Sequence, residues 1–308
     1  MKAAQIRRQH LVSKVLLKQF TEASSEGSGL QLRPVDVRNP ERRTKLASPR
    51  TCGWADTFVA FDSASAEKLW DSVETRAHAA FEAVRAGTPF ADPVHAEALR
   101  DLVVLHYVRS YRYRSVYTNA FESVSGKLRG QLVRQYPEQL RREALRQTRL
   151  HLDSPGSLGA FAERLIEQSE VAQEFESGKL FRTSIEGMFH KVRAEAAKWR
   201  LEVLTPESGQ FLVGDNPGVS VRTDAKPLTY NIAFKDAHSI VLPISPRHLL
   251  ALGRDDLVGT IPRATVNDLN TVQIRAANQY VYMHPRSTRL ETFARDTARR
   301  WRTDSADD

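Results

Sequence analysis

Two residues that are far apart in the chain have side chains suited to hydrolytic chemistry. Asp215 follows a short apolar run in the stretch FLVGDNPG, residues 211–218. A carboxylate at the end of a strand can bind a divalent metal such as Mg²⁺ or Mn²⁺, act as a general base or hold a substrate hydroxyl. His10 lies beside Arg8 and Lys14, and a cationic setting favours the neutral imidazole that accepts a proton. If folding brings the two side chains together, they form the outline of a general-base dyad.

The same stretch also has the composition of a tight turn. An Asp side chain can bond the backbone two residues on, Pro217 pushes Asn216 into an extended conformation, and Gly218 accepts a positive φ. A lone histidine near a chain terminus is also commonly a structural hydrogen-bond partner. The sequence therefore leaves open whether Asp215 and His10 are catalytic or structural.

A third candidate segment alternates arginine with tyrosine from His106 to Arg114. On one continuous helix, His106, Arg109 and Tyr113 share a face. Arginine pairs bidentately with phosphate and tyrosine offers a π-face to a base, so this helix could bind nucleic acid. The alternative is an amphipathic helix whose tyrosines enter the core and whose arginines remain in solvent.

Asparagines recur near the end of the chain and could line a polar cleft or cap a sheet edge. They are Asn267, Asn270 and Asn278. Asn216 places a further amide beside Asp215. We therefore expect His10 and Asp215 as the catalytic residues, with Asp215 also the candidate metal ligand. The expected substrate-binding residues are Arg109, Arg112, Tyr113, Asn216 and Asn270.

The distribution of charge indicates a phosphate-bearing partner. The formal net charge is +8, and the excess is concentrated in two regions. Ten basic residues stand against three acidic ones between Tyr107 and Leu150, and eleven against four in the first fifty residues. Such regions attract phosphates and raise encounter rates with nucleic acid. Arginine-rich helices that are merely solvated are the alternative.

Several classes of protein are disfavoured by what the sequence lacks. Cys52 is the only cysteine, which excludes an intramolecular disulfide and favours a reducing, cytoplasmic location. No apolar run is long enough to span a bilayer, so no membrane partner is expected. The glycine-rich loops of dinucleotide-binding and P-loop enzymes are absent, as is the nucleophile elbow of α/β-hydrolases.

The periodicity of apolar residues predicts an α+β fold. Helical spacing dominates a middle region of about residues 65–198, whereas short strands joined by Pro, Gly, Asp and Asn turns dominate about residues 199–283. A candidate strand also lies at 30–37. We therefore expect a helical middle packed on a mixed sheet of N-terminal and C-terminal strands, in a single domain over 1–302 with a frayed tail at 303–308.

Four segments, in order, resemble the bacterial family catalogued as domain of unknown function 4238. They are QHLVSKVLLKQF at 9–20, FLVGDNPG at 211–218, IVLPISP at 240–246 and NDLN at 267–270, which Asn278 follows. The family's first histidine is Gln9 here, and its Thr-Ser before the Asp-Asn-Pro turn is Val213-Gly214. His10 and the Asp-Asn-Pro turn are kept. The resemblance implies an architecture over nearly the whole chain and supplies no reaction.

Charge and candidate residues together favour a protein that engages nucleic acid and hydrolyses a phosphodiester. In this hypothesis His10 is the base, Asp215 orients it or binds a metal, and Arg109 and Arg112 hold phosphates. Two alternatives remain open at the level of sequence. One is a non-enzymatic, defence-associated interaction module, and the other is a hydrolase or transferase of a small phosphorylated molecule.

Overall fold

The computed structural model describes residues 7–24, 27, 29–224 and 226–304. Its N-terminal part consists of short strands and one short α-helix around a group of buried apolar side chains. Leu11, Val12, Leu16, Leu17 and Phe20 are all at most 1% exposed and belong to the main hydrophobic core. The elements are β1 (Arg8–His10), α1 (Lys14–Leu17), β2 (Glu22–Ala23), β3 (Leu30–Gln31), β4 (Arg33–Asp36) and β5 (Trp54–Asp56).

A run of helices forms the middle of the chain. Its bounds are α2 (Ser63–Arg85), α3 (Pro93–Val108), α4 (Tyr111–Gln135), α5 (Pro137–Thr148), α6 (Pro155–Glu167), α7 (Glu170–Glu176) and α8 (Lys179–Ala196). The α3 helix starts with Pro93 after Asp92, whose side chain accepts the Val94 N–H, and it is buried on nearly all sides. No side chain of α4 is fully buried. Its later part joins a small separate core with α5 and α6, whereas Tyr111, Tyr113 and Tyr117 pack against the main core.

The remaining elements are mostly strands. They are β6 (Arg200–Pro206), β7 (Val213–Gly214), β8 (Val219–Arg222), β9 (Thr229–Tyr230), β10 (Ser239–Ser245), β11 (His248–Gly253), β12 (Leu257–Ile261), α9 (Arg263–Ala276), β13 (Tyr280–Met283) and α10 (Thr288–Asp304). Six of the strands form a sheet in the order β12-β6-β11-β10-β8-β9, in which only the β12–β6 pair is parallel.

Strand alternation explains how this sheet lies between two cores. Along β10, Ile240 and Leu242 join the main core with α2, α3 and α8, whereas Val241 faces the other way. Val241 packs with Val266 and Val272 of α9. Since successive side chains of a strand point to opposite faces, an apolar strand of this kind is typical of a sheet covered on both sides.

A second sheet brings the two ends of the chain together. β13 pairs antiparallel with β4 on one side and with β7 on the other. A two-stranded antiparallel ribbon of β1 and β5 sets His10 opposite Trp54. The predicted α+β class, with strands from both ends of the chain, is therefore confirmed.

The structure also departs from the expected elements. One helix was expected to run through Arg109, but Val108 ends α3 and Ser110 caps α4 by accepting the Tyr113 N–H at 3.1 Å. The α10 helix was not anticipated and extends to Asp304, so the expected frayed tail begins inside it, and residues 305–308 lie outside the described part. Among the described helices, none has the length and apolar character needed to cross a membrane.

Candidate functional site

Asp215 is a backbone anchor at the start of β13. Its Oδ1 accepts the Asn278 N–H at 2.6 Å, and its Oδ2 accepts those of Gln279 at 2.8 Å and Tyr280 at 3.0 Å. Burial raises the pKa of this carboxyl to about 6, while these three donors and the charge of Arg38 oppose the rise. Both oxygens of the side chain are therefore occupied by the turn between α9 and β13.

Amide side chains of α9 hold the rest of the FLVGDNPG stretch. Asn270 Oδ1 accepts the Leu212 N–H at 3.1 Å, and its Nδ2 donates to the Gln210 carbonyl at 2.9 Å. Gln273 likewise accepts the Gly214 N–H and donates to the Pro217 carbonyl, each at 2.9 Å. A segment with little strand pairing thereby satisfies its buried backbone groups.

Two other residues of the stretch have structural surroundings. Asn216 Nδ2 donates to the Ala276 carbonyl at 3.2 Å, and the residue is 2% exposed. Gly218 does not have the expected positive φ. It is required for a close approach instead, because a Cβ there would lie 2.5 Å from the Tyr107 nitrogen.

Within the described residues, no group of three or more His, Cys, Asp or Glu side chains, around Asp215 or elsewhere, is arranged to hold a metal ion. Asp215 is also not among the charged groups that shift the pKa of His10, which are Lys14, Arg109 and Glu74. The carboxylate that acts on His10 is Glu74 of α2 instead.

His10 lies at the edge of a cluster of ionisable side chains. Burial, followed by the charges of Lys14 and Arg109, lowers its pKa to about 4, so the imidazole is neutral at pH 7. A hydrogen bond with the backbone of Arg50 opposes the shift. Its Nε2 atom is buried and has no hydrogen-bond partner among the described residues.

Glu67 of α2 is the second perturbed group of this cluster. Burial raises its pKa to about 7, with Arg109 opposing and Asp71 and Glu74 adding to the rise. Its Oε1 is buried, and no described group bonds to it. Pairs of titratable groups whose pKa values are pushed apart are typical of acid–base sites. We call His10, Lys14, Glu67, Glu74 and Arg109 the N-terminal cluster.

Arg109 is the centre of this cluster. It is 2% exposed, and its Nη2 donates to Glu74 Oε1 at 2.7 Å and to Ser13 Oγ at 2.8 Å. Its guanidinium lies 4.9 Å from the centroid of the Trp70 ring. Burial works against ionisation of Glu74, yet the charge of Arg109 and the hydrogen bonds that Arg109 and Ser13 Oγ donate to Glu74 hold its pKa below the usual value.

His106 has a structural place behind the cluster. Its Nδ1 lies 2.9 Å from the Leu102 carbonyl and its Nε2 lies 3.2 Å from the Ser13 nitrogen, a network that assigns the proton to Nδ1. Burial, followed by the charge of Arg109, lowers its pKa to about 3. The ring is therefore a neutral partner that fixes the backbone of Ser13.

The predicted Arg–Tyr face is divided by the break after Arg109, so the expectation of one shared surface is wrong. Arg109 turns inward, whereas Arg112 is exposed and donates to the Asn231 carbonyl at 3.0 Å. Tyr113 places its hydroxyl 2.7 Å from Ser184 Oγ. The capping hydroxyl of Ser110 explains the break, because it satisfies a free N–H at the start of a new helix.

A basic, aromatic pocket is lined by Trp54, the strand partner of His10, although His10 itself is not among its lining residues. Its volume is about 630 Å³. The residues that line it are Pro34, Arg42, Arg43, Thr44, Lys45, Ala47, Thr51, Cys52, Gly53, Trp54, Gln279, Tyr280 and Tyr282. None of these is acidic, so we call it the basic pocket. Burial raises the pKa of Cys52 to about 11, which keeps this thiol protonated and a poor nucleophile.

The basic pocket and the N-terminal cluster meet at the β1–β5 ribbon. Trp54 lines the pocket and is the strand partner of His10, so both side chains lie on the same face of the ribbon. Arg8 lies on this face as well, with its guanidinium 4.3 Å from the centroid of the Trp54 ring. Asp215 does not line the pocket but supports its wall, because it holds the backbone of Gln279 and Tyr280 in place.

Sequence reasoning missed Glu67, Glu74, Trp54 and the basic residues at 42–45 as site residues. Glu67 and Glu74 are seven residues apart, which is two helical turns, and thus share a face of α2. That spacing was a usable signal. The proximity of Trp54 to His10 has no such signal in the sequence, because it depends on the pairing of two three-residue strands.

Comparisons with known proteins are consistent with the resemblance seen in the sequence. No curated protein and no solved structure matches the chain. The model of the family described as protein of unknown function (DUF4238) matches residues 8–287, a span that includes His10, the basic pocket and the Asp215 turn. The chain therefore belongs to the DUF4238 family.

Proposed function

We propose that this protein engages single-stranded nucleic acid in the basic pocket and cleaves a phosphodiester beside His10. One observation carries the proposal: Trp54, in the wall of a pocket without acidic residues, is the strand partner of a neutral histidine. Base-stacking aromatics next to a basic groove are the common means of binding single strands.

The pocket offers both kinds of contact that a nucleotide needs. Arg43 and Lys45 are exposed and have no ion-pair partner in the described part of the chain, so their charges are available to phosphates. Trp54 and Tyr280 are half-buried and present ring surface in the same wall. The formal net charge of +8 adds long-range attraction for a polyanion.

The N-terminal cluster supports acid–base chemistry on RNA. In the proposed step, His10 Nε2 takes the proton of a 2′-hydroxyl as its oxygen attacks the neighbouring phosphorus. The bond from phosphorus to the 5′-oxygen breaks, and protonated Glu67 gives its proton to that oxygen. The products are a 2′,3′-cyclic phosphate and a 5′-hydroxyl, and Lys14 can balance the charge that builds up on the phosphate.

Binding is tested first, with a labelled single-stranded RNA in fluorescence anisotropy. We expect Lys45→Gln and Arg43→Gln each to weaken binding several-fold and to reduce the slope of log K against log salt by about 0.7. Arg247→Gln is the matched control, because Arg247 is exposed in the β10–β11 hairpin, away from the pocket lining. Equal weakening by all three variants would contradict a defined pocket.

Cleavage is tested on the same RNA with EDTA, Mg²⁺ or Mn²⁺ present. The proposed chemistry predicts cyclic-phosphate products in EDTA that are lost in His10→Gln and Glu67→Gln while RNA binding persists. Binding without cleavage under all three conditions would favour the non-enzymatic module. Stabilisation of the fold by mononucleotides but not by RNA would favour a small phosphorylated substrate if Lys45→Gln removes that stabilisation, and the pocket volume is also suitable for such a substrate.

A further inference from the structure

A second basic cavity lies where α9 and α10 begin, and it shares no lining residue with the basic pocket. Its volume is about 550 Å³, within the range of small-molecule sites. Three arginines line it, Arg263, Arg286 and Arg289, and no acidic residue does. Such a lining favours an anionic ligand.

Two of these arginines have charge available for a ligand. Arg286 forms an ion pair with Glu22 at 2.6 Å. Arg263 and Arg289 are exposed, and in the described ranges neither takes part in an ion pair or a side-chain hydrogen bond. Each can therefore bind phosphate oxygens without first breaking a contact of the fold.

The asparagines of α9 have different tasks in this cavity. The amide of Asn270 is occupied by Gln210 and Leu212, so it fixes the cavity wall. Asn267 lies one turn earlier, and its side-chain amide has no partner among the described residues. It is placed to bond a hydroxyl or a base edge of a ligand.

Two apolar side chains also line the cavity. Leu290 and Phe293 are half-buried and line the cavity together with Thr288 in the first turn of α10. The seventeen-residue α10 adds the positive end of its dipole to the field of the arginines. The combination suits a ligand with a phosphate at one end and a ring at the other.

We propose that this cavity binds a nucleoside phosphate, with Arg263 and Arg289 on the phosphates and Phe293 and Asn267 on the nucleoside. The inference does not depend on nucleic-acid binding in the basic pocket, since the two sites have no residue in common.

The test is titration calorimetry of the full chain at constant ionic strength with three probes: ADP, inorganic pyrophosphate and adenosine. We expect ADP to bind more tightly than either of the others. Arg289→Gln should weaken ADP binding by about tenfold, the effect of losing a charge-assisted hydrogen bond. Arg263→Gln should act in the same direction.

Arg300→Gln is the matched control, since Arg300 is exposed on the same helix, three turns beyond Arg289. It should change the affinity less than twofold. The proposal is overturned if ADP does not bind, if adenosine binds as well as ADP, or if Arg289→Gln and Arg300→Gln weaken binding equally. Circular dichroism of each variant shows whether the fold is retained.

Discussion

Asp215 Oδ2 lies 3.0 Å from the backbone nitrogen of Tyr280, and the same carboxylate also accepts the two preceding N–H groups. A residue near the start of the last third of the chain thus fixes the beginning of β13, which forms one wall of the basic pocket. Asp215 acts on the proposed site through the backbone of Gln279 and Tyr280, and it does not touch the pocket with its own side chain.

Asp215→Asn is expected to destabilise the protein by about 2–3 kcal/mol. The asparagine keeps the shape but turns an N–H₂ group towards buried backbone N–H donors that need acceptors. The measurement is urea unfolding at pH 7, with Asp268→Asn on the exposed side of α9 as the control. RNA affinity of the folded variant should fall a few-fold as the pocket wall loosens. Unchanged stability would contradict the anchoring role.

Gly218→Ala is expected to destabilise the fold by about 3 kcal/mol or more. A Cβ at this position would meet backbone atoms of His106 and Tyr107 at 2.7 and 2.5 Å, and neither can move without shifting α3. Gly126→Ala is the opposite case, because nothing lies within 4 Å of its Cβ in the interior of α4. That substitution should stabilise by about 0.5–1 kcal/mol. Similar effects of the two substitutions in thermal unfolding would show that the close approach is not present.

Glu67→Gln is expected to change the pH dependence of stability. The folded-state pKa of Glu67, about 7, is above its usual value of 4.5. The contribution of the protonated Glu67 side chain to the free energy of unfolding is therefore complete below pH 4.5, and it is lost as the pH rises through 7. Glutamine has no such loss, so the variant should gain about 1–3 kcal/mol relative to wild type between pH 5 and pH 8. Glu167→Gln, at an exposed position of α6, should show no such trend.

The proposed cleavage has a pH profile set by the same cluster. His10 must be neutral and Glu67 must carry its proton, and their pKa values are about 4 and about 7. The rate should be highest between these values, falling above pH 7 as Glu67 ionises and below pH 4 as His10 is protonated. Single-turnover rates across this range provide the measurement. A rate that rises steadily above pH 8 would contradict the assignment of Glu67 as the acid.

Much of the architecture was predictable because it follows from the local spacing of apolar residues along the chain. The helical middle and the short apolar strands of the β10–β11 hairpin follow from spacing and turn residues. The α10 helix had the same kind of signal in Leu290, Phe293, Ala294, Thr297 and Ala298, and it could have been recognised.

The candidate site was less predictable because it depends on contacts between distant segments. His10 and Arg109 were both expected, and the structure places them within electrostatic reach of each other. The inward turn of Arg109 depends on the Ser110 cap, and the pairing of Arg109 with Glu74 depends on how α3 packs on α2. The FLVGDNPG stretch departs from the expected turn, because Gly218 does not have a positive φ and the main side-chain bonds of the stretch go to residues more than fifty positions away.

The most direct test of the central claim is to locate bound nucleic acid by photo-crosslinking. A single-stranded RNA that contains 5-iodouridine is irradiated on the protein, and the crosslinked peptides are identified by mass spectrometry. Binding in the basic pocket predicts crosslinks at Trp54 or Tyr280, reduced in Lys45→Gln. Crosslinks found only in the arginine-rich helices α4 and α5, with none at these two rings, would contradict it.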